Sequence, residues 1–133
     1  IMQKIRVLTL EINHEKNLLE KKLRWIDPDI ILESMQKIIG CRAINARSFA
    51  IKGRQYDVWF DDEFLAHASI PTFLLDEKTQ YPSLLMGNLL FACANDDGST
   101  AGLQQDDIFL LSRYVDDNFT ALRYYLQNGK NLW

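Results

Sequence analysis

Two cysteines and two histidines are all that this chain of 133 residues offers of the side chains that most often ligate metals or attack substrates. Cys41, Cys93, His14 and His67 show no zinc-type spacing, so no metal site of that kind and no cofactor is expected. A disulfide would need the two cysteines on neighbouring strands and an oxidising compartment, so both read as reduced, half-buried thiols. There is no glycine-rich phosphate loop and no Gly-x-Ser-x-Gly elbow. Cys41 follows an expected helix end rather than preceding a helix start, so no helix dipole lowers its pKa. Without a nucleophile or a phosphate cradle, the chain is not expected to be an enzyme. Long apolar runs are missing too. Residues 5–12 are broken by Arg6, Thr9 and Glu11, too short and polar for a signal peptide or a membrane helix of ~20 apolar residues. A cytoplasmic protein with no membrane partner is expected, with Met2, after Ile1, as its natural start.

What is present is ordinary for a globular chain: 47% hydrophobic and 25% charged residues, enough for one domain with a real core. Charge, however, is unevenly spread. Residues 1–54 hold 11 Lys/Arg against 6 Asp/Glu, a balance of +5, and residues 55–133 hold 4 against 12, a balance of −8. An acidic half can face a basic partner or mimic a phosphate backbone. It can also pack against the basic half, its acids capping helices and lining turns, and scatter of those acids is the expectation.

Periodicity predicts a strand over residues 5–12. Residues 15–24 fit a short helix, with Leu18, Leu19 and Leu23 on one face, and a second strand through residues 23–26 fits nearly as well. Residues 28–39 predict a helix: Asp27 as cap, Pro28 first, then Ile31, Met35, Ile38 and Ile39 at helical spacing up to Gly40. Residues 41–60 predict a hairpin turning at Lys52-Gly53-Arg54, with Tyr56, Val58 and Phe60 on one side and Asp57 and Trp59 on the other. Phe64-Leu65-Ala66 resumes an apolar run towards Pro71, and residues 76–82 predict a polar loop. Residues 84–94 read as one buried strand carrying Gly87, ending at the turn Asn95-Asp96-Asp97-Gly98. A last helix should open at Asp106 or Asp107 and run to about residue 128, closed by Gly129. Ile108, Leu111, Val115, Phe119, Leu122 and Leu126 form its main stripe, while Phe109, Leu110, Tyr114, Tyr124 and Tyr125 add apolar surface elsewhere. The expected fold is a single α+β domain, a mostly antiparallel sheet packed by two main helices.

Three groups of residues are candidate sites. The run Asp61-Asp62-Glu63, near Asp57 and His67, has the hard oxygen ligands a divalent cation takes. Along a strand Asp61 and Glu63 project to one face and Asp62 to the other, so convergence needs a tight turn, and a solvated turn is expected. Arg42, Arg47, Lys52 and Arg54 cluster beside Phe49 and Tyr56 on the hairpin, as a nucleic-acid ribbon would require. Against that stand an acidic chain of pI about 5.3 and the lack of any reader motif, so nucleic acid is not the expected partner. Tyr114, Tyr124, Tyr125, Leu132 and Trp133 leave apolar surface that a second copy or another protein would cover, unless they fold back across the sheet.

The helix end Leu32-Glu33-Ser34-Met35-Gln36-Lys37-Ile38-Ile39-Gly40, the acidic turn Asp61-Asp62-Glu63 and the glycine-led strand Gly87-Asn88-Leu89-Leu90-Phe91-Ala92 carry a resemblance. Together with the segment 103–114 they resemble a domain family of unknown function, numbered 3846, from phages, plasmids and conjugative elements of bacteria. The similarity covers residues 3–115. Where that family has Leu-Pro-x-Asn-Arg, this chain has Ser69-Ile70-Pro71-Thr72-Phe73, keeping the proline and lacking the Asn and Arg. The resemblance implies an α+β fold and a mobile-element origin, and it implies no reaction. The expected role is an accessory protein that binds a protein partner or pairs with itself. A nucleic-acid role, by ribbon binding or acidic mimicry, and a small metal-dependent enzyme at the acidic turn are the alternatives.

Overall fold

In a computed structural model the described residues are 4–67 and 69–127, with side chains described as far as residue 118. The chain opens with two nine-residue strands, β1 (Ile5–Asn13) and β2 (Leu18–Ile26), paired antiparallel along their whole length. The helix expected over residues 15–24 is therefore not formed, and the strand expected over 23–26 begins as early as Leu18. The side-chain oxygen of Asn13 accepts the N–H groups of Glu15 and Lys16, and Asn17 adopts a left-handed φ of 54°, so the chain reverses before a helix can start. A 3-10 turn, Pro28–Ile30, leads into α1 (Ile31–Ile39), with the Asp27 carboxylate accepting the N–H of Asp29 at 2.9 Å. Gly40 ends it, donating to the carbonyl of Gln36 at 2.8 Å.

The hairpin β3 (Ile44–Ile51) and β4 (Arg54–Asp61) forms as expected, with Tyr56, Val58 and Phe60 buried on one side. Phe64-Leu65-Ala66 is instead part of a single helical turn, α2 (Phe64–His67). The chain then makes a second small hairpin, β5 (Pro71–Leu75) and β6 (Pro82–Met86), and the polar loop of residues 76–81 is its tip. The single strand expected over residues 84–94 is two strands. Gly87, at φ +81°, breaks it, and β7 (Leu89–Ala94) belongs to the large sheet while β6 does not. Only glycine takes that left-handed backbone cheaply, and here it lets an apolar run change sheets. A short β8 (Thr100–Ala101) pairs with the end of β7, and α3 (Gln105–Gln127) follows.

The large sheet runs β2-β1-β7-β4-β3, every neighbour antiparallel. Both faces are covered, which is why adjacent residues such as Val7 and Leu8, or Leu90 and Phe91, are all buried. On one face α3 and the β5–β6 hairpin close over Leu10, Phe49, Val58 and Phe91 with Ile108, Leu111 and Val115. On the other, Met35 and Ile39 of α1 pack on Val7, Ile26, Leu90 and Ala92. The expectation of two helices on a mostly antiparallel sheet holds, with one helix on each face.

The start of α3 differs from the expected cap. Asp107 sits at the third helical position and reaches back to accept the Gln104 N–H at 2.9 Å, the reciprocal half of a capping box. The same carboxylate accepts the Tyr56 hydroxyl at 2.6 Å and the Arg54 guanidinium at 2.9 Å. This ties the helix start to β4 across the core. Burial works against the charge of Asp107, but these three bonds more than offset it and hold the carboxyl below its usual range.

Candidate functional site

At the end of β4 the backbone turns sharply. The Asp62 N–H still reaches the Ala43 carbonyl at 2.9 Å, while the Asp61 carboxylate accepts the Glu63 N–H at 2.8 Å. That bond starts α2, whose one turn returns His67 to Asp61, so that Nδ1 of the ring meets the other carboxylate oxygen. Burial works against ionisation of Asp61, but the bonds from His67 and the Glu63 N–H prevail and its pKa is lowered. The same carboxylate raises the pKa of His67, first through the hydrogen bond and then through its charge. Asp62 points away, accepting the Asn45 amide at 3.2 Å, and Glu63 is exposed. The three acids do not converge. Among the described residues no group of three or more His, Cys, Asp or Glu side chains is placed to hold a metal ion.

The Asp61–His67 pair stands at the wall of a cleft of about 410 Å³. Ile12, Ile39, Phe64 and Met86 supply its apolar surface, and His14, Ser69 and Asn88 its remaining polar side chains. A second cavity of about 520 Å³ shares Ile12, His14 and Asn88 and extends along α1 past Ser34, Lys37 and Ile38. Glu11 and Arg24 face it as a bidentate ion pair, both bonds 2.8 Å. Asn88 fixes the shape of this groove. Its Oδ1 accepts the Ile12 N–H and its Nδ2 donates to the Ile38 carbonyl, each at 2.8 Å, so one side chain clamps the end of β1 to the last turn of α1. Nothing in the sequence marked Asn88 beyond its place after Gly87.

Cys41 borders the same region. Burial first, then the charge of Asp61, pushes its thiol up to about 11, and Cys93 is likewise pushed up to about 11, chiefly by burial. Both are free thiols.

Two of the four basic residues of the hairpin lie beside carboxylates. Arg54 bridges Asp106 at 2.8 Å and Asp107 at 2.9 Å, and Lys52 stands 3.9 Å from Glu77. Arg47 lies over the Phe60 ring at 5.3 Å, and Arg42 is exposed ahead of β3. Tyr114 does not add surface. It is buried in the core and donates its hydroxyl to the Leu75 carbonyl at 2.7 Å, because it falls one helical turn from Leu111 on the sheet-facing side. Tyr124 and Tyr125 lie in α3 with side chains outside the described residues, as do Leu132 and Trp133 altogether.

The exposed apolar surface is elsewhere. Of the eight large apolar side chains left exposed among the described residues, five fall within residues 18–32: Leu18, Leu23, Trp25, Ile30 and Leu32. Trp25, 61% exposed, lies on the outermost strand beneath the Arg6 guanidinium, 5.7 Å from its ring centre. The alternation of Leu23, Arg24 and Trp25 was visible in the sequence, but only the strand order puts it at a sheet edge.

A twisted antiparallel sheet with one helix on each face and a small hairpin beside it defines an α+β domain. The chain belongs to the family described as a domain of unknown function, DUF3846, whose model matches residues 5–117. No curated protein and no solved structure matches it.

Proposed function

We propose that this domain is a non-enzymatic protein-binding module, an accessory protein of a bacterial mobile element or phage that works in the cytoplasm. The observation that carries this reading is the outer strand β2, on one face of which Leu23 and Trp25 are left exposed. Among the described residues β2 has β1 on one side and no strand on the other. An outer strand can take an added strand from a partner, and Leu23 and Trp25 supply apolar contact area of the kind protein partners cover. The mobile-element origin is supported by the resemblance through residues 32–40, 61–63 and 87–92. A nucleic-acid role is less well supported, since Arg54 is committed to the carboxylates of Asp106 and Asp107 and Lys52 lies beside that of Glu77. No helix among the described residues is long and apolar enough to cross a membrane.

The test is affinity purification of the chain from its source bacterium, beside a Leu23→Ser/Trp25→Ser variant of unchanged circular dichroism. Mass spectrometry should identify a protein recovered by the wild-type chain and lost with the variant. Equal recovery by both, or recovery of nucleic acid alone, overturns the reading.

A further inference from the structure

The groove along α1 has a definite chemical character. Two carboxylates line it, and each is already paired: Glu11 with Arg24, Asp61 with His67 and the Glu63 N–H. Lys37 and His14 line it too, and among the described residues neither side chain has a partner. The unmatched donors are therefore basic, with the hydroxyls of Ser34 and Ser69 beside them. Between these polar points lie Ile12, Ile38, Ile39, Phe64 and Met86. The two cavities adjoin at Ile12, His14 and Asn88.

Resting on the protein-binding reading, we propose that the groove between α1 and the end of β1 holds an acidic, extended peptide segment of the partner protein. Its carboxylates would pair with Lys37 and His14, and its apolar side chains would fill the space beside Ile39, Phe64 and Met86. Charge complementarity selects this occupant. A basic segment would meet Lys37 with like charge and find both acids already bonded, and an apolar one would leave Lys37 desolvated without a partner. Asn88 holds the end of β1 and the last turn of α1 at a fixed separation.

The probe is a short synthetic peptide alternating Glu and Leu, added to isotope-labelled full-length chain and followed by two-dimensional NMR. Amide shifts should move at His14, Lys37 and Asn88, and binding should weaken as salt rises. Lys37→Glu, at an exposed position, should keep the dispersed spectrum of the folded chain and weaken binding about tenfold or more, the loss expected for one charge-assisted hydrogen bond. The matching Lys/Leu peptide should not bind. Equal binding of both peptides, unchanged affinity in Lys37→Glu, or shifts confined to residues 18–23 would each overturn the inference. So would equal shifts from acetate or inorganic phosphate, which would make the groove a site for small anions. If the lysate partner is lost with the Leu23/Trp25 variant but binds Lys37→Glu as well as wild type, the groove inference fails and the protein-binding reading stands. Lysate recovery that is the same for all three chains removes the reading on which the inference rests.

Discussion

Replacing Asp107 by Ala should cost this protein more than any other single surface-to-core polar change described here. Asp107 is 7% exposed and its carboxylate accepts three hydrogen bonds, from the Tyr56 hydroxyl, the Arg54 guanidinium and the Gln104 N–H. Tyr56 is 1% exposed, so its hydroxyl has no route to water once the acceptor is gone, a penalty of about 1–3 kcal/mol. The lost bond to Arg54 adds less than a buried ion pair would, because that guanidinium is largely in solvent and keeps Asp106 at 2.8 Å. Loss of the backward bond to Gln104 removes a helix cap, about 1 kcal/mol. The total is roughly 2–5 kcal/mol. Urea denaturation at neutral pH should show this as a lower midpoint with little change in slope. The pH dependence has a fixed sign. The folded-state carboxyl titrates below its ordinary value of 3.8, so its contribution is complete above that value and is lost as pH falls through the lowered one. Asp107→Asn, which keeps an acceptor and loses the charge, should therefore converge on wild-type stability in acid. A loss under about 1 kcal/mol for Asp107→Ala at neutral pH, or a gap that widens in acid, would refute this account.

Three further outcomes are expected. Asn88→Ala orphans the Ile12 N–H and the Ile38 carbonyl, should cost about 1–3 kcal/mol, and should speed hydrogen exchange at the Ile12 amide relative to its neighbours in β1. Lys52 and Gly53 both hold positive φ, 52° and 77°, as a tight hairpin turn requires, so Lys52→Asn should stabilise the chain by about 0.5–1 kcal/mol in thermal denaturation; the ion pair it removes, at 3.9 Å, is solvent-exposed and contributes little. His67 should titrate above its ordinary 6.5 by NMR, with the stability it draws from Asp61 complete below 6.5 and fading as pH rises through the raised value; in Asp61→Asn the midpoint should drop back towards 6.5.

Local chemistry in the chain was enough to place α1 and the β3–β4 hairpin. Asp27, Pro28 and Gly40 act on their own backbone, and the alternation of Tyr56, Val58 and Phe60 needs only a face to be buried against. Residues 15–24 could not be decided that way, because a leucine spacing that fits a helix also fits an edge strand, and the pairing with β1 settled it. The apolar run over residues 84–94 carries no local mark of which sheet each half joins. That assignment comes from Gly87 and from the partners on either side, β5 for one half and β1 and β4 for the other. Tyr114 reads as surplus apolar surface until α3 is laid on the sheet and its hydroxyl finds the Leu75 carbonyl. The groove is the clearest case. Its residues come from β1, α1, the end of β4, α2 and the β6–β7 junction, scattered from Glu11 to Asn88, and no spacing along the chain relates them. Sequence alone determined the elements whose stabilising contacts lie within a turn or a hairpin. Tertiary structure decided which faces stay exposed and which donors remain unpaired, because those depend on contacts between segments distant in the chain.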